Sequence, residues 1–156
     1  MFDLTGKKAL VTGASGSIGL AIAKILYKQG ASVGLHGTSQ EKLEKVAKNF
    51  DDVDRFLLFP ANFSDRVSVE YLSKRVNEEM GGVDILMNNA GIVRDSLFMR
   101  ARYEDWDDDL SVNLTSAILL TRQLVPLMIR NRCGRVSKIT SVVELKGNVV
   151  HDFYCV

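Results

Sequence analysis

The sequence contains few of the residues that mark secreted, metal-binding or nucleic-acid-binding proteins. Its 156 residues include two cysteines, two prolines and two histidines, and the formal net charge is +1. Cys133 and Cys155 have neither metal-ligand spacing nor a disulfide framework around them, which favours a reducing compartment. A nearly neutral chain offers no basic surface to nucleic acid or anionic lipid. Because His36 and His151 have no metal-ligand companion at a suitable spacing, we expect surface or loop histidines and no metal site.

Long apolar segments are also missing. The amino terminus MFDLTGKKALVTG has no basic stretch leading into an apolar run, and no window approaches the roughly 20 apolar residues that span a bilayer. We therefore expect a cytoplasmic protein with no membrane partner and no nucleic-acid partner. With 46% hydrophobic and 25% charged residues the composition is that of a globular domain. The length fits one dinucleotide-binding domain over residues 1–156 if the motifs below support such a domain.

Short apolar runs alternate along the chain with longer segments of helical period, and no repeat or linker interrupts them. Strands that are covered by helices on both faces are near-continuously apolar, as most of these runs are. The alternation predicts an α/β fold with a doubly wound parallel sheet. The predicted strands cover residues 8–11, 32–36, 55–59, 83–87 and 135–140.

The segments between these runs predict amphipathic helices. In the first helix, a face that packs on the sheet is predicted from helical spacing and comprises Ile18, Ile22, Ile25 and Leu26. Thr38 and Glu41 fit a capping box that opens the second helix. The predicted inner face of that helix comprises Leu43, Val46, Ala47 and Phe50. A long helix is predicted over residues 104–130.

The segment TGASGSIG, residues 12–19, lies between the first predicted strand and the first predicted helix. Backbone N–H groups and the positive end of a helix dipole can receive a pyrophosphate at such a turn. The segment is not a Walker loop, because no Gly-Lys-Ser/Thr follows it. A glycine-rich turn alone is weak support, since an ordinary tight connection has the same composition. The strand before it and the helix after it favour dinucleotide binding.

Further motifs follow in order: NNAG at residues 88–91, Asn113 within VNLTS, then Ser141 and, thirteen positions later, Tyr154. Together with the glycine-rich turn, in which Ser17 replaces the middle glycine, they resemble the short-chain dehydrogenase and reductase family. The segments MNNAGIVRDSLFMR, DWDDDLSVNLTS and GRVSKITSVVELKGN are similar to bacterial 3-oxoacyl-(acyl-carrier-protein) reductases. The resemblance implies a Rossmann-like sheet in the order 3-2-1-4-5 that lacks the family's last strands.

The resemblance also implies catalytic roles for three side chains. Tyr154 would protonate the carbonyl oxygen of a ketone, Ser141 would hold that oxygen by a hydrogen bond, and Asn113 would anchor a water in the proton path. In the family, a lysine four residues after the tyrosine binds the nicotinamide ribose and lowers the tyrosine pKa. The sequence ends at Val156, so we expect Tyr154 to lack this activator.

By the same resemblance the cofactor is NADPH. NAD-specific members carry an acidic residue at the end of the second strand, where this sequence has Gly37, and the following Thr38 could donate a hydrogen bond to a 2′-phosphate. Gly16 stands where many of the resembled reductases have an arginine. The implied cofactor-binding residues are Gly13, Ala14, Ser15, Gly16, Ser17, Ile18, Gly19, Thr38, Asn62, Phe63, Asn89, Ala90, Gly91 and Val112.

The implied activity is NADPH-dependent reduction of 3-oxoacyl-(acyl-carrier-protein) in fatty acid biosynthesis. The carrier-bound 3-oxoacyl substrate is the implied partner, and a homotetramer is the assembly expected of the full-length family. Two alternatives stay open: a catalytically silent dinucleotide-binding fragment, and another short-chain carbonyl reductase. Ser137 and Lys138 interrupt a strand that the family fills with apolar residues and asparagine, and a fifth strand at the sheet edge would leave N–H and C=O groups unpaired.

Overall fold

The computed structural model describes residues 2–94 and 98–141. The strands are β1 (Lys8–Val11), β2 (Ser32–Gly37), β3 (Phe56–Pro60), β4 (Ile85–Asn88) and β5 (Arg135–Lys138). The helices are α1 (Ser17–Lys28), α2 (Gln40–Ala47), α3 (Arg66–Met80), α4 (Tyr103–Leu110) and α5 (Ser116–Arg130), with a π-helical segment, Ser111–Thr115, between α4 and α5. Short 3₁₀ helices occupy Val53–Arg55 and Phe98–Arg100. The predictions for Tyr154, His151 and Cys155 fall outside the described residues.

The five strands form one parallel sheet in the order β3-β2-β1-β4-β5, which confirms the predicted fold. Strand β1 is central, and its Leu10 lies in register with Gly34 of β2 and Leu86 of β4. The chain builds the sheet outward from β1 first in one direction and then in the other. In doubly wound sheets, a ligand-binding crevice forms at the carboxyl ends of the strands where the direction reverses. Here that point lies between β1 and β4.

Helices cover both faces of the sheet and bury two apolar clusters. Because successive side chains of a strand point to opposite faces, Leu10 belongs to the cluster beneath α3 and α5, whereas Val11 belongs to the cluster beneath α1 and α2. Both side chains are completely buried. Strand β1 therefore has no solvent-facing side on which polar residues would be tolerated, which is why its sequence is near-continuously apolar.

Helix α1 packs on the sheet only partly through the predicted residues. Ile22 and Leu26 are partly buried and pack against the cluster beneath α1 and α2, as predicted, but the fully buried residues are Gly19 and Ala23. The predicted contacts of Ile18 and Ile25 with the sheet are wrong, since each of these side chains is 59% exposed. The reason is the close approach of α1 to the end of β1. A side chain at Gly19 would collide with the carbonyl oxygen of Gly13, so the face of α1 nearest the sheet is the one with the smallest side chains.

Helix α2 begins differently from the prediction. Its N-cap is Ser39, whose Oγ accepts a hydrogen bond from the Lys42 N–H at 3.4 Å. The capping box predicted for Thr38 and Glu41 is therefore wrong, and Glu41 instead pairs with Lys45 at 2.6 Å on the exposed face of the helix. Thr38 is exposed directly after the end of β2.

The predicted long helix is present as the helical stretch Tyr103–Arg130, which the π-helical segment divides. By length and composition this stretch could cross a membrane, but the core helix of a soluble protein can have the same length and composition. Leu120 and Leu124 of this stretch are completely buried in the apolar cluster that α3 also covers.

Candidate functional site

A cleft of about 680 Å³ opens at the carboxyl ends of the strands, where the strand order reverses. Its volume lies in the range of small-molecule and cofactor sites. All the described residues of the predicted site line this cleft, except Ala14. The side chain of Ala14 is completely buried in the cluster beneath α1 and α2, and its N–H donates to the His36 carbonyl at 2.7 Å. Lining residues that the sequence analysis did not assign are His36, Gly37, Ser64, Ile92, Val93, Arg94, Lys138, Ile139 and Thr140.

The turn between β1 and α1 lies directly against the segment that follows β4. Gly13 has a φ of +66°, in the left-handed region, and a Cβ at this position would lie 2.9 Å from the Cα of Ala90. A Cβ on Gly19 would lie 2.7 Å from the Nδ2 atom of Asn89. Only glycine fits at both positions without displacing the backbone. These contacts explain in physical terms why the glycine-rich turn and the NNAG segment occur together.

Thr12 joins these two segments by hydrogen bonds. Its Oγ1 accepts from the N–H groups of Asn89 and Ala90, both at 2.9 Å, and donates to the Met87 carbonyl at 3.2 Å. In return, the Asn89 side chain donates to the Thr12 carbonyl at 2.8 Å. Thr12 is 1% exposed. The sequence analysis named it only as the first residue of the glycine-rich motif, because the partners of its hydroxyl group lie more than 70 positions away.

The amino terminus of α1 faces the cleft without a side-chain cap. Gly16 is the N-cap and makes no side-chain hydrogen bond, and the first turn contains no acidic residue. The N–H groups of Ser17, Ile18 and Gly19 have no acceptor inside the helix, because the first turn of a helix has no preceding carbonyls. Together with the positive end of the helix dipole, these donors suit an anion such as a phosphate.

On the side of β2 and β3 the cleft has an aromatic wall. The Phe63 ring stacks on the His36 ring with a centroid distance of 4.0 Å and an interplanar angle of 13°. His36 is 2% exposed, so the predicted surface or loop position of this histidine is wrong. Burial lowers its pKa to about 4, although the hydrogen bond with the Ala61 carbonyl opposes this shift. The ring is therefore neutral near pH 7.

Asn113 lies in the π-helical segment and fastens the loop after β4 to it. Its Nδ2 donates to the Ile92 carbonyl at 2.9 Å, and its Oδ1 accepts from the Ile92 N–H at 2.8 Å. Single π-helical turns inside α-helices are frequent at functional sites. Helical periodicity alone did not reveal this one. The role of Asn113 in a proton path stays a prediction.

The described lining residues include no aspartate or glutamate and two cations, Arg94 and Lys138. Arg94 is engaged in ion pairs with Asp105 at 2.9 Å and Asp108 at 2.8 Å. The hydrogen bond from Arg94 holds the pKa of Asp108 below its ordinary value. In the described part of the chain, no group of three or more His, Cys, Asp or Glu side chains could hold a metal ion. The described lining thus contains no carboxylate that would repel an anionic ligand.

The residues after β5 complete the described wall. The pairing of β4 with β5 continues through a hydrogen bond from the Ile139 N–H to the Asn88 carbonyl at 2.9 Å. This pairing places Thr140 and Ser141 in the cleft together with Asn113. The structure therefore brings the predicted Ser141 and Asn113 to one site, and the position of Tyr154 stays a prediction.

Comparison with known proteins relates the whole chain to one family. The sequence model of the short chain dehydrogenase family matches residues 7–156. Nodulation protein G of Rhizobium sp. (strain N33) is 55% identical over 155 residues, which cover 99% of this chain and 62% of that protein. The 3-oxoacyl-(acyl-carrier-protein) reductase FabG of Haemophilus influenzae is 40% identical over 152 residues, covering 97% of this chain and 62% of that protein. The chain thus spans about 62% of the length of these curated relatives.

The fold is also similar to solved structures. The crystal structure of a short-chain dehydrogenase/reductase of the glucose/ribitol dehydrogenase type from Brucella melitensis matches with a TM-score of 0.88 and 25% identity. The match covers 99% of this chain and 64% of that protein.

Proposed function

The chain belongs to the short-chain dehydrogenase family, and from this premise we propose that its cleft binds NADP(H) for the reduction of 3-oxoacyl-(acyl-carrier-protein) to the 3-hydroxyacyl form in fatty acid biosynthesis. The family uses nicotinamide dinucleotide cofactors. The observation that carries the proposal is the uncapped start of α1, which faces the cleft where the strand order reverses. Anionic phosphates bind at this position in doubly wound folds.

The cofactor assignment rests on the chemistry of the lining residues. The N–H groups of Ser17, Ile18 and Gly19 receive the pyrophosphate, and the described lining contains no carboxylate that would repel it. At the end of β2, Gly37 provides no acidic group for a ribose diol, and the exposed hydroxyl of Thr38 can donate to a 2′-phosphate. Both features support NADP(H) over NAD(H).

When bound at the start of α1, the cofactor would supply a hydride for the carbonyl carbon of the substrate. The protein would then have to supply a proton to the carbonyl oxygen, where negative charge develops. Ser141 donates a hydrogen bond to this oxygen and Tyr154 gives the proton, roles taken from the family resemblance. Asn113 fixes the loop after β4 through Ile92 and thereby keeps the wall of the cleft in position.

The substrate class is supported by the 40% identity with a 3-oxoacyl-(acyl-carrier-protein) reductase. The protein is proposed to act in the cytoplasm on the carrier-bound thioester and to assemble as a homotetramer. A second candidate is another short-chain carbonyl reductase. It is favoured by the higher identity, 55%, with nodulation protein G, whose name specifies no substrate.

The cofactor proposal is tested by the charge at position 38. In Thr38→Asp the new carboxylate would repel a 2′-phosphate, so we expect the affinity for NADPH to fall by at least about tenfold, or about 1.4 kcal/mol. The affinity for NADH should change much less. Thr38→Asn is the matched control, because it has the same shape without the charge. Nucleotide fluorescence titration measures both affinities. Equal losses for NADPH and NADH would contradict the 2′-phosphate contact.

The reaction is tested by following NADPH oxidation with acetoacetyl thioesters of coenzyme A and of acyl carrier protein. Turnover that is faster with the carrier protein and is lost in Ser141→Ala supports the proposed reaction. Turnover only with unrelated ketones would favour the second candidate. Binding of NADPH without turnover of any ketone would favour a catalytically silent dinucleotide-binding protein and would contradict the proposed reductase activity.

A further inference from the structure

His36, near the end of β2, contacts two walls of the cleft at once. Its Nδ1 accepts a hydrogen bond from the Gly13 N–H at 3.3 Å, and its Nε2 lies 3.2 Å from the Ala61 carbonyl. Its ring also stacks on Phe63. Gly13 belongs to the turn that leads into α1, whereas Ala61 and Phe63 follow β3. One buried ring thus connects the turn before α1 with the opposite, aromatic wall.

These contacts define the protonation of the ring. The Gly13 N–H is a donor, so Nδ1 must carry a lone pair, and the Ala61 carbonyl is an acceptor, so Nε2 must carry the proton. The neutral tautomer with Nε2–H satisfies both partners. Burial keeps the ring neutral near pH 7 by lowering its pKa to about 4. A doubly protonated ring would place a donor against the Gly13 N–H and lose that contact.

The main chain of His36 adds to this connection. Its carbonyl accepts from the Ala14 N–H at 2.7 Å, so His36 engages two consecutive N–H groups of the turn. The N–H groups without a helical acceptor belong to Ser17, Ile18 and Gly19, and these residues line the cleft beside the turn. The orientation of the turn relative to the aromatic wall therefore depends on His36.

We propose that His36 is a positioning residue for dinucleotide binding, which holds the glycine-rich turn before α1 at a fixed distance from the segment after β3 that contains Ala61 and Phe63. This inference rests on the proposed function of the cleft. A dinucleotide must contact both walls at once, because its pyrophosphate lies at α1 while its adenosine lies toward β2 and β3. If the distance between the two walls is already fixed in the free protein, less conformational entropy is lost when the ligand binds.

Three substitutions separate the contacts of the ring. His36→Asn places an amide oxygen near the position of Nδ1, so it can accept from Gly13. His36→Gln places an amide nitrogen near the position of Nε2, so it can donate to Ala61. His36→Phe keeps an aromatic ring for stacking on Phe63 and removes both hydrogen bonds. The probes are 2′,5′-ADP, which carries the adenosine and phosphate groups, and nicotinamide mononucleotide, and isothermal titration calorimetry measures both affinities at pH 7.

We expect His36→Phe to weaken 2′,5′-ADP binding by about tenfold, which corresponds to about 1.4 kcal/mol, and to leave nicotinamide mononucleotide binding nearly unchanged. His36→Asn should recover more of the 2′,5′-ADP affinity than His36→Gln, because the Gly13 contact positions the turn. Thermal melts of the same variants give their stabilities. The positioning role would be overturned if the 2′,5′-ADP affinities of the variants changed in parallel with their melting temperatures and did not depend on whether the variant can accept a hydrogen bond from the Gly13 N–H.

A second measurement uses the ligand-free chain and does not depend on the proposed function. Amide hydrogen exchange at Gly13, followed by NMR, should become faster in His36→Phe and His36→Gln than in His36→Asn. Equal exchange in the three variants would overturn the inference, even if the parent chain binds NADPH. Failure of the parent chain to bind NADPH or 2′,5′-ADP would instead contradict the proposed function, and slow exchange at Gly13 would then support only a structural contact.

Discussion

Strands β1 and β5 belong to the same parallel sheet but have different surroundings. Three of the four residues of β1 are buried, whereas all four residues of β5 are exposed. Strand β1 pairs with β2 and with β4, while β5 pairs with β4 and is the last strand of the described sheet. The two apolar clusters lie over the centre of the sheet, and no residue of β5 belongs to either.

This difference shows that the ends of the central strands, and not β5, hold the residues of the site in position. The glycine-rich turn, Thr12 and His36 lie at the ends of central strands and are held by hydrogen bonds between neighbouring strand ends. By contrast, Ser137 and Lys138 are tolerated in β5 because their side chains are solvent-exposed. The parallel-strand rule of near-continuous apolar sequence applies to β1 and not to β5. Substitutions in the two regions should therefore differ in their consequences.

The largest expected effect on cofactor binding is at Gly19, in the first turn of α1. In Gly19→Val the new side chain would collide with the Gly13 carbonyl oxygen and crowd the Asn89 side chain, so α1 must move away from the end of β4. We expect NADPH affinity to fall at least about a hundredfold, or about 2.7 kcal/mol. Fluorescence titration measures it. Ala21→Val is the control, because it introduces the same side chain at an exposed position of α1 that does not line the cleft. If both variants bound NADPH like the parent chain, the close approach at Gly19 would be irrelevant to binding.

Leu86 of β4 and Val136 of β5 lie in register, so they allow a direct comparison of an inner strand with the last strand of the described sheet. Leu86 is completely buried, and Val136 is 44% exposed. We expect Leu86→Ala to lower the free energy of unfolding by about 2–5 kcal/mol, and Val136→Ala to lower it by less than about 1 kcal/mol. Urea unfolding followed by circular dichroism gives both values. Similar losses would show that β5 is as well packed as β4, and the contrast between the regions would disappear.

An intermediate effect is expected at Thr12. Replacing its hydroxyl group in Thr12→Val leaves the N–H groups of Asn89 and Ala90 without their acceptor at nearly constant side-chain volume. We expect a loss of about 2–3 kcal/mol in the free energy of unfolding. Thr12→Ser keeps the hydroxyl group and should lose much less. Chemical denaturation compares the three chains, and equal losses in the two variants would assign the effect to packing and not to the hydrogen bonds.

The smallest expected effect is a pH dependence that arises from His36. Its pKa in the folded chain is about 4, below the value of about 6.5 in an unfolded chain. The unfolded chain thus binds more protons, so this contribution is complete above pH 6.5 and is lost as the pH falls toward 4. Between pH 7 and pH 5 the loss is about 2 kcal/mol. His36→Asn cannot titrate at this position, so its stability should fall less over the same interval. Parallel pH profiles for both chains would contradict the buried neutral state.

Local patterns in the sequence predicted much of this molecule. Apolar runs of strand length and intervening helical periods predicted five parallel strands with small errors at their ends. The resemblance to the short-chain dehydrogenase and reductase family predicted that the glycine-rich turn, NNAG, Asn113 and Ser141 share one site, and residues of each of them line one cleft. The errors concern faces and caps. Ile18 and Ile25 have the spacing of a buried face, but only the approach of α1 to Gly13 decides which face is buried, and Ser39 competes with Thr38 for the same cap.

The sequence by itself determined the class of fold and the position of the site, because strand and helix periodicity and glycine-rich turns act over a few residues. Only the tertiary structure decided how the site is held together. The hydroxyl group of Thr12 meets Asn89 and Ala90 across 77 and 78 positions, and the ring of His36 meets Gly13 and Ala61 across 23 and 25. Such contacts arise when separate strands become neighbours in the sheet. No local pattern specifies them, since a threonine or histidine looks the same in sequence whether its partner is water or a distant backbone group.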